Sequence, residues 1–140
     1  MNQIRIKSEP YNEEGVLNLL VWASSEGFSG FAEVYVTPQH VKNFALRLTA
    51  FPASVDDAVV FEYGDESGEY PYHLLMRAEV VDKVGHSAML VHVSSYVSSP
   101  HVAKAEFRVM SEPASINEFG RCLARWVDSP YEALVWKPKA

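Results

Sequence analysis

FAEVYVTPQHVKNFALRLTAFPASVDDAVVFE, residues Phe31–Glu62, lies without a gap over EFRVMSEPASINEFGRCLARWVDSPYEALVWK, residues Glu106–Lys137, at an offset of 75. Seven of the 32 positions are identical: Val34/Val109, Pro38/Pro113, Phe44/Phe119, Leu48/Leu123, Ser54/Ser129, Ala58/Ala133 and Val60/Val135. Composition alone would give about two. Five more pairs are conservative: Val41/Ile116, Phe51/Trp126, Asp57/Glu132, Val59/Leu134 and Phe61/Trp136. Each copy reads as an alternating strand, a proline at a helix start, one apolar helical stripe, and a short closing strand.

In the first copy Thr37 can cap the helix and Pro38 takes the first helical position, where a missing N–H costs nothing. Val41, Phe44, Leu48 and Phe51 then recur at spacings of three and four, and Pro52 helps to stop the helix. In the second copy Pro113 plays the same part, and Ser115 with Glu118 is expected to form a capping box. Ile116, Phe119, Leu123 and Trp126 repeat the stripe. Such aromatic stripes ordinarily bury themselves against a sheet, so both are assigned to the core.

Outside the repeat, period-two alternation predicts strands. Val16 to Ala23 carries Leu17, Leu19, Val21 and Ala23 on one side, with Asn18 and Trp22 among those on the other. Tyr70 to Val81 sets Tyr72, Leu74, Met76, Ala78 and Val80 against His73, Arg77 and Glu79. Ser87 to Val97 sets Met89, Val91, Val93 and Val97 against His86, Leu90 and His92. Ala103, Ala105, Phe107 and Val109 oppose Lys104, Glu106 and Arg108. Asp82-Lys83-Val84-Gly85 and Ser98-Ser99-Pro100 supply the turns between these strands.

With a short first strand at Ile4 to Ile6, the order becomes βββαβ twice, in halves of about residues 1–65 and 70–140. A chain of 140 residues should bury roughly 68% of the surface its unfolded form exposes, whereas half of it would be marginal alone. The expectation is therefore a single α+β domain over residues 1–140. It has a largely antiparallel sheet, two helices, one shared core and a pseudo-twofold between the repeats.

Composition sets the outer limits. The chain is 48% apolar and 21% charged, with seven Gly, eight Pro and one Cys; this is a globular balance that needs no disulfide. Twelve Lys and Arg against 18 Asp and Glu give a net charge of -6, which repels phosphate backbones and anionic lipid, so neither nucleic acid nor membrane is an expected partner. The opening residues lack an apolar leader, and no run approaches the 18 apolar residues of a membrane helix, so a cytoplasmic location is expected.

No Gly-x-Ser-x-Gly elbow, phosphate-cradling glycine loop or His-Glu-x-x-His helix occurs, so no catalytic residue is assigned. Gly27-Phe28-Ser29-Gly30 lies between two strands and reads as a hairpin connection. Cys122, on the second helical segment beside Leu123, reads as a structural thiol. His73, His86 and His92 share the side of their strands opposite the apolar face. Pairing through the Asp82–Gly85 turn places His92 roughly opposite Leu75 and near His73, but leaves His86 about 20 Å from His92, too far for all three to share one ion. No metal or cofactor is assigned. The histidines read as solvated or partly packed, with a His73–His92 pair able to respond to pH near 6.5 or to touch a partner.

Charge asymmetry is the feature that packing leaves unexplained. No Lys or Arg occurs between Arg47 and Arg77, while Asp56, Asp57, Glu62, Asp65, Glu66 and Glu69 crowd 14 residues. The loop that joins the repeats is either a solvated connector or an acidic patch interleaved with Tyr63, Tyr70 and Tyr72, suited to a basic protein. Its spacing lacks the twelve-residue register of a Ca²⁺ loop.

Gly27-Phe28 before a strand, the helix with Phe44 and Leu48, the middle hairpin around Gly85-His86, and the closing strand and helix with Phe107, Phe119 and Leu123 together resemble the small bacterial immunity proteins of the wall-associated toxin type. The resemblance covers about residues 27–127. It implies a non-enzymatic cytoplasmic protein that binds and neutralises a cognate toxin, with no catalytic residues to carry over. The leading expectation is thus a protein-binding module. The alternative is a small-ligand binder or accessory protein that uses a cavity between sheet and helices, and an enzyme comes third. A second copy of the chain could also cover the edge strands and the face bearing Leu75, Val81 and Leu90.

Overall fold

A computed structural model describes residues 1–9 and 14–140. Among these residues the first repeat holds β1 (Gln3–Glu9), β2 (Leu17–Ser25), β3 (Phe28–Val36), α1 (Pro38–Thr49) and β4 (Ala58–Tyr63). The second holds β5 (Tyr72–Val80), β6 (Ser87–Ser95), β7 (Ala103–Ser111), α2 (Pro113–Trp126) and β8 (Leu134–Trp136). The fold is α+β with two βββαβ units.

The strands form two four-stranded antiparallel sheets, ordered β3-β2-β1-β8 and β4-β5-β6-β7. Each repeat thus sends its last strand into the sheet of the other. Both closing strands pair antiparallel with the other repeat's first strand: Ile4 with Trp136 and Ile6 with Leu134, and Met76 with Phe61 and Ala78 with Val59. One continuous cluster of buried side chains joins both sheets and both helices. The last strand of each half thus completes the sheet of the other.

The helices carry the exchange. Phe44 of α1 lies 5.4 Å from Phe61 at the end of β4, and Phe119 of α2 stacks at 4.7 Å on Trp136 at the end of β8, so each helix holds the strand that follows it. The two helices meet at repeat-equivalent small residues. A Cβ on Gly120 would stand 2.6 Å from the Ala45 carbonyl oxygen and 2.8 Å from Leu48 Cβ, so only glycine admits this approach. Repeat-equivalent side chains then close the two helix ends. Asn117 Nδ2 donates to the Leu48 and Phe51 carbonyls at 2.9 and 2.6 Å, and Lys42 Nζ donates to the Ala124 carbonyl at 3.0 Å and pairs with Asp128 at 2.8 Å. Each helix thus donates a side-chain hydrogen bond to the C-terminal end of the other.

Local chemistry explains most of the boundaries. Thr37 Oγ1 accepts the His40 N–H at 3.1 Å, as an N-cap should. The second helix departs from expectation: Glu112 is its N-cap residue and makes no side-chain cap, and no Ser115–Glu118 box forms. Ser115 instead accepts the Lys139 N–H at 3.2 Å through its hydroxyl and the Trp136 indole N–H at 3.1 Å through its carbonyl, while Glu118 pairs with Arg121. Both serine acceptors are thereby spent on anchoring the chain after β8. The β2–β3 hairpin turns on Glu26-Gly27, both with positive φ (52° and 87°), as a two-residue primed turn requires. Val97 falls beyond β6 and is 62% exposed, so it does not belong to the inner face.

Replacing Gly120 with alanine should lower the unfolding free energy by about 1–3 kcal/mol through overpacking at the helix crossing, despite the better helix propensity of alanine. Ala45→Gly, at the equivalent place, should cost about 1 kcal/mol in propensity. Urea unfolding of the two variants checks this, and a Gly120→Ala protein as stable as the parent would show that the crossing is not tight.

Candidate functional site

The inner faces of both sheets pack in the core, and the two repeats differ in chemistry on the outer faces. Phe31 and Glu106 are equivalent in the 75-residue offset; the first pairs across the ladder with Trp22, the second with His92. On the first sheet Trp22 and Phe31 contact each other at 5.2 Å, with the Arg5 guanidinium 4.9 Å over the indole. On the second sheet the same places are ionisable.

Leu75 stands opposite His92 in the β5–β6 register, which sets His73 and His92 on one face with ring centroids 5.1 Å apart. His73 is 7% exposed, more deeply buried than the solvated or partly packed reading of the sequence. The cover is the connector between the repeats. Gly64 (φ 76°) and Gly68 (φ 87°) bend it, and a Cβ on Gly64 would stand 2.5 Å from the Tyr72 carbonyl, so the bend that brings the loop back over the sheet demands glycine. Asp65 Oδ1 accepts the Ser67 N–H and Ser67 Oγ the Glu69 N–H, which fixes the loop from within.

Glu66 is the point of attachment. Its Oε1 lies 2.7 Å from His92 Nε2, 3.3 Å from His73 Nδ1 and 2.8 Å from the Ser94 hydroxyl that donates to it, while the Tyr96 hydroxyl donates to Oε2. Lys104 Nζ is 3.8 Å away. The far nitrogens of both imidazoles also face carboxylates: His73 Nε2 is 2.7 Å from Glu62 and His92 Nδ1 is 3.2 Å from Glu106. Burial works against ionisation of Glu66, but hydrogen bonds from Tyr96, Ser94 and His92, with the His73 imidazole beside them, outweigh it and hold the carboxyl well below the usual range. Burial likewise opposes charge on His73, and the hydrogen bond to Glu62 with the nearby carboxylates of Glu62 and Glu66 outweighs it, raising the imidazole. The bond to Glu66 leads in pushing the Tyr96 phenol up to about 12.

The nine residues expected to contact a partner separate. Asp56 and Asp57 sit before β4, at the opposite end of a six-residue strand, about 20 Å from the connector. Tyr63 and Tyr72 pack against the core, with Phe31 5.7 Å from Tyr72. Glu62 and Glu66 serve the histidines. Asp65, Glu69 and Tyr70 remain outward on the connector, with Tyr70 edge-on to Tyr63 at 5.5 Å. Glu66 was legible as an acid but not as the partner of His73 and His92, because only the return of the loop over the sheet joins them. The paired glycines bracketing it are the signal in the sequence.

Other candidates resolve differently. His86 pairs with Asp82 inside its own turn. Cys122 is half-buried on α2; burial, with its bond to Glu118, pushes the thiol up and away from reactivity. Leu90 is 6% exposed within the single chain, beside the Arg77–Glu79–Arg108 ion cluster, so it offers no apolar area to a second copy. One cluster of buried side chains packs both sheets and both helices together. A large surface concavity, about 700 Å³, is an open groove that includes Glu118, Cys122, Val135 and Lys137.

No protein-family model and no curated protein matches the chain. Among solved structures it is similar to the plant transcriptional regulator PBF-2, with a TM-score of 0.52 and 6% identity over 93% of this chain and 78% of that one. At that identity the likeness is one of fold alone. No described helix is long and apolar enough to cross a membrane.

The cluster sets a pH window. The depressed folded pKa of Glu66 contributes stability that is complete above its unfolded value near 4.5 and lost as pH falls through the folded one. The raised pKa of His73 contributes stability that is complete below 6.5 and lost as pH rises through the folded value. Both contributions are present together between 4.5 and 6.5. The melting temperature plotted against pH should peak in that window, and Glu66→Gln should flatten the curve.

Proposed function

We propose that this chain is a non-enzymatic cytoplasmic protein-binding module, in its most concrete form an immunity-type protein that covers a basic surface of a cognate toxin. The single observation behind the reading is the braced connector. Its acids Asp65 and Glu69 and its tyrosine Tyr70 project from a loop that is fixed internally and pinned through Glu66. Ordering a flexible loop on binding costs affinity, and a loop already ordered avoids that cost. Acids at its tip steer a basic partner, and an exposed tyrosine offers contact area at low entropic cost.

The transcriptional role named for PBF-2 is not carried over. The net charge of -6 and the acidic connector have the wrong sign for a phosphate backbone. The alternative small-ligand reading would use the groove between α2 and β8, about 700 Å³, lined by Glu118, Cys122, Trp136 and Lys137.

Toxin-like proteins encoded by neighbouring genes are the partners to test, by stopped-flow or surface-plasmon measurement. The association rate of a bound partner should fall at least tenfold between about 50 and 500 mM salt. Asp65→Lys with Glu69→Lys should slow it by a similar factor, leaving the fold intact. An association rate indifferent to both salt and charge reversal would remove the connector from recognition.

A further inference from the structure

We propose that Glu66, His73 and His92 form a three-ligand site for one divalent transition-metal ion of the zinc type, which clasps the connector between the repeats to the outer face of the second sheet.

The ligand atoms are one carboxylate oxygen, His73 Nδ1 and His92 Nε2, all within 4.8 Å of one another. Zinc bonds of about 2.0–2.1 Å in tetrahedral array would hold such atoms about 3.3 Å apart. Of the two separations to Glu66 Oε1, 3.3 Å from His73 already matches that value and 2.7 Å from His92 is shorter, so a small side-chain rotation that opens the latter suffices. An ion would displace the hydrogen bond between His92 and Glu66.

Two features distinguish this cluster from an ordinary ion pair. First, His73 Nδ1 is a buried nitrogen on a side chain only 9% exposed, and it makes no well-aligned hydrogen bond although Glu66 Oε1 lies 3.3 Å from it. A buried polar atom left without a partner is costly, and a lone pair there turned toward a cation is not. Second, the other nitrogen of each imidazole is held by a separate carboxylate, Glu62 for His73 and Glu106 for His92. Metal-bound histidines are oriented in that way, with the outer carboxylate fixing the tautomer and raising the basicity of the ligating nitrogen.

Charge agrees. Glu62, Glu66 and Glu106 surround the two imidazoles, and Lys104, 3.8 Å from Glu66, is more than half exposed and free to swing away. Two imidazoles with one carboxylate suit Zn²⁺ or a neighbouring divalent ion rather than Ca²⁺ or Mg²⁺, which take oxygen ligands. The three ligands come from the connector and two adjacent strands, so the ion would link the loop to the sheet and leave a fourth position for water. Ser94 and Tyr96, by binding Glu66, would hold the carboxylate in place.

The test is titration of the tag-free, chelator-treated full chain with Zn²⁺ by calorimetry, and with Co²⁺ followed by its visible absorption. One equivalent should bind, with Co²⁺ bands of a site containing nitrogen and oxygen ligands. Glu66→Gln and His92→Ala should each weaken binding at least 100-fold, and Glu106→Gln, an exposed position that should leave the fold intact, by 10- to 100-fold. His86→Ala should leave it unchanged. Substoichiometric binding, or binding that survives both Glu106→Gln and His92→Ala in folded protein, would overturn the proposal. The partner-binding reading rests on Asp65 and Glu69 and is tested separately.

Discussion

Two helices approach each other here more closely than side chains ordinarily allow, and the rest of the architecture follows from that contact. Gly120 lies against the backbone of α1 at Ala45, and from this crossing each helix reaches across to finish the other: Asn117 donates to the Leu48 and Phe51 carbonyls at the end of α1, and Lys42 to the Ala124 carbonyl near the end of α2. Because each helix also grips its following strand through Phe44–Phe61 or Phe119–Trp136, the crossing fixes where β4 and β8 enter the sheets. A larger residue at the crossing would disturb strand exchange in both sheets at once.

The repeat was legible because its matching positions are core positions, where volume and polarity are tightly constrained. Val34/Val109, Phe44/Phe119 and Leu48/Leu123 are all buried, and the 3.6-residue and two-residue periods point each toward the same interior. The strand exchange was not legible. Periodicity states which face of a strand is buried but not which sheet receives it, and the Phe61 and Trp136 anchors look the same in either arrangement. The missing capping box has a similar origin: Ser115 and Glu118 have the right spacing, but the chain after β8 returns to claim the serine. A local motif yielded to a contact 24 residues away.

The functional surface was half visible. Counting along β5 and β6 put His73 beside His92, since antiparallel pairing is nearly arithmetic once a turn is placed. The acidic stretch was visible too, but as one patch. In the fold its charges do different work: Glu62 and Glu66 neutralise imidazoles, Asp56 and Asp57 lie beyond the far end of β4, and Asp65 and Glu69 face outward. Net charge reports none of this, because it does not distinguish a carboxylate already compensated by a neighbour from one available to a stranger.

The exchange of β4 and β8 also bears on ancestry. A peptide containing a single βββαβ unit would lack the fourth strand of its own sheet, and two such peptides could complete each other as an intertwined pair with identical exteriors. Joining them into one gene removes that identity constraint. The side where Trp22 and Phe31 lie can then accumulate aromatic rings while the side of His92 and Glu106 accumulates titrating groups, with the common interior left untouched.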